Sequence, residues 1–135
     1  MTRRESREQA FALLFEKLFN DAPVSELAQG AVEARNSSTS GFAMQLAEGA
    51  ESHMDELDDR IAAYSQKWNT ERISRVALSV MRLAVYEMLY EEDIPVSVSI
   101  NEAVELAKKY GGNEDAVFVN GVLGGVAGEL PTEAE

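Results

Sequence analysis

The chain of 135 residues contains no cysteine and a single histidine, His53. The first absence removes disulfide frameworks, thiolate metal sites and cysteine nucleophiles. The second forces any imidazole metal centre or charge-relay catalysis through one side chain. Only three prolines occur, Pro23, Pro95 and Pro131, and eight of the nine glycines follow residue 40, so long stretches carry nothing that interrupts a helix. No apolar run approaches the roughly 18 residues of a membrane-spanning helix. The most hydrophobic segment, Val76 to Tyr90, is broken by Ser79, Arg82 and Glu87. The N-terminus carries Arg3, Arg4 and Arg7 but runs into an amphipathic pattern with Glu8, Glu16 and Lys17, unlike a secretory leader. These features predict a cytosolic protein without a membrane anchor.

Catalytic signatures are equally scarce. GxGxxG, GxxxxGK[ST] and HExxH are all missing. The adjacent acidic pairs Asp58-Asp59 and Glu91-Glu92 diverge by about 100° on a helix and cannot share a site. Glu102 and Glu105 stand three apart, but the pattern assigns the first to a helix cap and the second to solvent. Neither an enzyme nor a metal or cofactor site is expected.

Basic residues are the remaining scarcity: 12 Lys plus Arg stand against 24 Asp plus Glu, a net charge of −12 that repels a polyanion at long range. The distribution is uneven, because the first seven residues hold three arginines and one glutamate. A small positive tip sits on an acidic body.

What is present is helical periodicity, with 45% apolar residues spaced at three and four. Thr2 and Glu5 form a capping box opening a first helix, whose apolar face is Ala10, Phe11, Leu14, Phe15 and Leu18. Arg3 and Arg7 lie along one edge of it. A second helix starts at Pro23 and carries Val24, Leu27, Ala28, Ala31 and Val32 up to the polar stretch from Asn36 to Ser40. A long third helix runs from Phe42 to about Trp68, with His53 near its packed face as a core or boundary residue. The segment from Ile73 to Tyr90 is apolar almost all round and predicts the central helix of a bundle, with Arg82 in an ion pair. Ser99 and Glu102 suggest a second capping box, Gly111-Gly112 a helix stop, and Asn113 the cap of the last helix. That helix holds Gly121, Gly124, Gly125 and Gly128, and small residues at this spacing predict close helix packing.

Four blocks carry a family resemblance. They are Arg3-Arg4-x-x-Arg7-Glu8-x-Ala10-x-x-Leu13-Leu14-Phe15, Trp68 and Glu71-Arg72-Ile73 leading to Met81-Arg82-Leu83-Ala84-Val85-Tyr86-Glu87, Asp93-Ile94-Pro95 with Ile100-Asn101-Glu102-Ala103, and Phe118-Val119-Asn120-Gly121-Val122. In order and spacing the chain resembles the NusB family of bacterial transcription antitermination factors. The resemblance implies an all-α fold of six to seven helices in two small subdomains. Residues 1–130 would form one domain, with N-terminal helices in 2–66 and C-terminal helices in 67–130, followed by a disordered acidic tail at 131–135. It also implies a non-catalytic, RNA-binding role: recognition of the boxA element of nascent ribosomal RNA together with NusE, a small-subunit ribosomal protein. Other Nus factors and RNA polymerase are then indirect partners.

By the same resemblance Arg3, Arg4 and Arg7 match the arginine-rich motif, and guanidinium groups suit phosphate pairing and base stacking. Phe118 matches an aromatic near the RNA surface, where bases stack, although its place in the last helix alone reads as core. Two positions depart from the common pattern: Ala12 stands where many members carry Gln, and Val117 where they carry Lys or Arg. NusE-dependent binding is therefore expected over tight binding alone. Monomer and homodimer both stay open, the latter burying the arginine face. The alternative of a different class is an acidic helical scaffold for basic proteins, with incidental RNA contact.

Overall fold

The computed structural model describes residues 2–35, 38–65 and 73–130. Trp68, Glu71 and Arg72, the expected subdomain boundary at 66/67 and the expected tail at 131–135 lie outside them. The described residues form seven helices: α1 (Arg3–Lys17), α2 (Val24–Arg35), α3 (Gly41–Ser52), α4 (Met54–Tyr64), α5 (Arg75–Tyr90), α6 (Val96–Gly111) and α7 (Asn113–Gly128). No strand occurs among them, and no helix is long and apolar enough to cross a membrane.

Helix α5 is the hub. It packs against α1, α3, α4, α6 and α7, and ten of its residues are buried, Glu87 and Ser79 with them. Its N-cap is Ser74, whose hydroxyl accepts from the Ala77 amide at 2.9 Å and donates to Asp115 on α7 at 2.8 Å. One side chain thus starts α5 and ties it to the first turn of α7. The predicted ion pair of Arg82 forms with Asp58 on α4, at 2.8 and 2.9 Å to its two oxygens.

The Thr2–Glu5 capping box is present, with the Glu5 amide donating to Thr2 at 3.1 Å and the Thr2 amide to Glu5 at 3.2 Å. The bonds that the Glu5 carboxylate accepts, first from the Thr2 amide and then from the Thr2 hydroxyl, hold it below its ordinary pKa. Other local readings need correction. The long third helix is two helices, broken at His53, whose φ of −118° and ψ of 21° are not helical. Ser52 bonds back to the Glu48 carbonyl at 2.9 Å, and the His53 ring stacks on Tyr90 with centroids 4.2 Å apart. A one-residue interruption leaves the three-to-four spacing in phase, so periodicity does not register it.

Ser99 caps nothing. Helix α6 begins at Val96 behind Pro95, whose φ of −57° is already suited to a helix start, and the buried Ser99 hydroxyl donates to Glu87 at 3.1 Å. Asn113 is the first residue of α7 and not its cap. Gly112, at φ 97°, turns the chain directly from α6 into α7, and its amide closes α6 on the Ala107 and Lys108 carbonyls.

The glycine stripe of α7 is only partly a packing device. Gly125 lies under the Tyr64 ring, but nothing lies within 4 Å of where a Cβ would stand at Gly121, Gly124 or Gly128. The tighter requirement is on α3, where Gly49 faces the buried Tyr86 ring. Gly49→Ala should therefore destabilise by about 1–3 kcal/mol through overpacking. Gly124→Ala should stabilise by about 0.5–1 kcal/mol through helix propensity alone. Urea unfolding of the two variants checks the opposite signs.

Candidate nucleic-acid interface

The capping box puts three arginines on the first two turns of a rigid helix, and packing gives each a different environment. Arg7 lies in the apolar stripe with Ala10, Phe11 and Leu14, and is 4% exposed. Its Nε donates to both oxygens of Glu87 at 3.1 and 3.0 Å, and Nη2 donates to Oε1 at 2.9 Å. The Ser99 hydroxyl supplies a further donor to the same carboxylate. Glu102 on α6 stands 3.9 Å from Arg7 Nη1. A buried charge pair with its remaining lone pairs satisfied thus joins α1, α5 and α6.

Arg4 points outward, 64% exposed, and pairs with Glu102 through Nε and Nη2, both at 3.1 Å. Arg3 lays its guanidinium 4.0 Å above the centre of the Phe42 ring on α3, a cation–π contact. Phe118 is 8% exposed and belongs to the core, while the preceding Val117 is 72% exposed. The structure therefore brings Arg4 and Arg7 together around Glu102 and places Phe118 behind the surface.

Arg4 opens on a cleft of about 820 Å³ between α6 and α7, whose polar lining includes Asn101, Glu105, Lys108, Asn113 and Asn120. Sequence reasoning missed these residues. Asn101, Glu105 and Lys108 follow one another at i, i+4 and i+7, so they share one face of α6, and that spacing was readable. Their polar groups can donate to and accept from a nucleic-acid strand. No group of three or more acidic or histidine residues among the described residues is arranged to hold a metal.

A second surface runs along α1. Phe11 stacks on Phe15 with centroids 5.9 Å apart, Phe15 meets Phe19 edge to face at 5.4 Å, and Tyr110 of α6 stacks on Phe11 at 5.0 Å. Phe19 is 62% exposed. The rings line an apolar groove of about 650 Å³ rimmed by Glu8 and Glu16, with Ala12 in its wall. Glu8 accepts from Lys109 at 2.8 Å and from the Tyr110 hydroxyl at 3.0 Å. The Lys109 hydrogen bond, above all, holds the Glu8 carboxyl below its usual pKa, and the same contact raises that of Lys109. Burial first, and then Glu8, pushes the Tyr110 phenol upward.

A model of the NusB family matches residues 4–128. This chain belongs to the NusB family. It is 42% identical over 130 residues to the transcription antitermination protein NusB of Bacillus subtilis (strain 168), covering 96% of this chain and 98% of that protein. Among solved structures it is similar to T. maritima NusB, at a TM-score of 0.84 and 36% identity, over 96% of this chain and 92% of the other. It is also similar to a chain in the crystal structure of antitermination factors NusB and NusE in complex with dsRNA, at a TM-score of 0.83 and 26% identity, over 96% of this chain and 100% of that one.

Two outcomes follow from the ion pairs. Arg7→Ala strands the Glu87 carboxylate in the core and should cost about 3–5 kcal/mol, whereas Arg7→Met with Glu87→Met should recover most of the loss; chemical denaturation of single and double variants measures both. Because the pKa of Glu8 is lowered on folding, its contribution is present above the ordinary carboxylate value of 4.5 and is lost as pH falls through the folded value. A Glu8→Gln variant should accordingly show a shallower decline of stability on acidification below 4.5 than the unmodified protein, read from melting temperature against pH.

Proposed function

We propose that this protein is a non-catalytic antitermination factor of the bacterial cytoplasm that binds the boxA element of nascent ribosomal RNA jointly with NusE. Through that complex it would meet other Nus factors and the elongating polymerase. The observation that carries the reading is the way the positive charge is used. In a chain of net charge −12, Arg7 is consumed by Glu87 and Arg4 is engaged by Glu102. Such a surface has little charge to offer an RNA strand alone, and a basic ribosomal protein supplies the missing phosphate contacts. The similarity to a chain solved with NusE and dsRNA supports this pairing.

Direct RNA contact is assigned to Arg3 and Arg4, the exposed members of the motif. Arg7 and Phe118, which the family resemblance also puts at the RNA, become contacts only if the packing around them opens. The groove along α1 suits NusE, because its aromatic floor offers apolar burial and its Glu8 and Glu16 rim complements a basic protein. The division into N-terminal and C-terminal helices near residue 66 fits this scheme, each half contributing to the arginine edge and the groove.

Fluorescence anisotropy of labelled boxA RNA beside a scrambled strand, with and without NusE and at two salt concentrations, tests the reading. Selective binding that tightens with NusE is expected. Arg4→Ala should weaken it and flatten the log-affinity against log-salt slope by about one. Equal binding of both strands in the presence of NusE would transfer the function to the scaffold reading.

A further inference from the structure

We propose that Glu102 is an internal competitor for RNA phosphate: it holds the Arg4 guanidinium in the free protein and keeps RNA affinity low until a strand displaces it. The proposal rests on the RNA-binding reading and adds a residue whose charge opposes binding.

The geometry has three parts. Arg4 directs Nε and Nη2 at a single oxygen of Glu102, each at 3.1 Å. That is the edge of a guanidinium that pairs with two oxygens of a phosphate, so carboxylate and phosphate compete for the same donors. The two partners differ in freedom, Arg4 being 64% exposed and Glu102 20%. Glu102 is also backed by Arg7, whose Nη1 lies 3.9 Å from its other oxygen. Arg7 is itself fixed by the bidentate Glu87 pair. When the contact breaks, Arg4 swings into the cleft while Glu102 stays against Arg7. An exposed pair of this kind contributes little, so the restraint is weak enough for a strand to displace and strong enough to lower affinity several-fold.

The cleft beyond Arg4 is where a strand would lie, and Glu102 and Glu105 both line it together with Lys108. The two carboxylates are not equivalent. Glu105 is exposed on the outer face of α6, whereas Glu102 faces the arginines of α1. Neutralising either removes the same unit of negative charge from the cleft, but only Glu102 also releases Arg4. That difference separates a specific competitor from a general field.

The test is a double-mutant cycle read by anisotropy with a scrambled single-stranded RNA at low salt, using the free protein. Glu102→Gln should tighten binding by about two- to fivefold. In the Arg4→Ala background the gain should shrink to that of Glu105→Gln, which it exceeds when Arg4 is present. No gain from Glu102→Gln, a gain that Arg4→Ala leaves undiminished, or an equal gain from Glu105→Gln in the presence of Arg4 would each overturn the proposal. The probe is the scrambled strand, so the cycle gives its answer even if the protein lacks boxA selectivity. That selectivity is judged separately, on the unmodified protein with NusE, and its failure would leave a positive cycle standing.

Discussion

The contact on which the rest of this structure depends is the pair between Arg7 and Glu87, closed by Ser99 and sealed from solvent at the junction of α1, α5 and α6. It decides how the first helix lies on the bundle, because a bidentate guanidinium meets its carboxylate in one relative placement. The capping box makes α1 a rigid element from its second residue onward, so fixing Arg7 also fixes the direction of Arg4 one turn earlier and of Phe11 one turn later. The Arg4 edge of the cleft and the aromatic groove therefore both depend on one buried ion pair.

Helix α1 consequently serves two surfaces. Its N-terminal edge carries positive charge toward the face of α6 that bears Glu102, and its middle carries rings toward Tyr110 and a carboxylate rim. Glu8, bonded to Lys109 and Tyr110, pins α1 to the end of α6 between the two. A basic protein seated in the groove would sit next to the arginine edge and add its charge there. The acidic body then works for the complex: it attracts the basic partner while keeping bare RNA at a distance.

Most of the fold was legible because most of its signals are local. The Thr2–Glu5 box, the proline at the start of α2 and the all-round apolar character of α5 each rest on residues within a turn or two of one another. The misreadings share a different origin. Ser99 looked like a cap because its true partner, Glu87, is on another helix. The break at His53 left the apolar phase intact, and Gly112 took the place given to Asn113 by joining two helices without a linker. In the site, Arg3, Arg4 and Arg7 looked equivalent as charges. Yet Arg7 alone continues into Ala10, Phe11 and Leu14 at helical spacing, and Glu87 is the acid inside the most apolar helix, so their burial was written in the pattern. The Glu102 contact was not, since nothing within α1 specifies what faces Arg4.

A buried pair of this kind is a poor way to add stability, because the desolvation of two ions offsets most of their attraction and apolar side chains of similar size do as well. Its effect at this junction is on placement. Helix α1 packs on α3 and α5 and buries Ala10, Phe11, Leu13 and Leu14, and apolar contacts alone are permissive about which side chains meet. A turn of shift would carry Arg7 away from Glu87 and leave both charges unpaired in the core, a penalty that no apolar repacking offsets. The pair thus excludes the neighbouring registers, and with them the helix placements that would put Arg4 out of reach of Glu102. An exposed contact too weak to position itself is in this way held in place by a buried one.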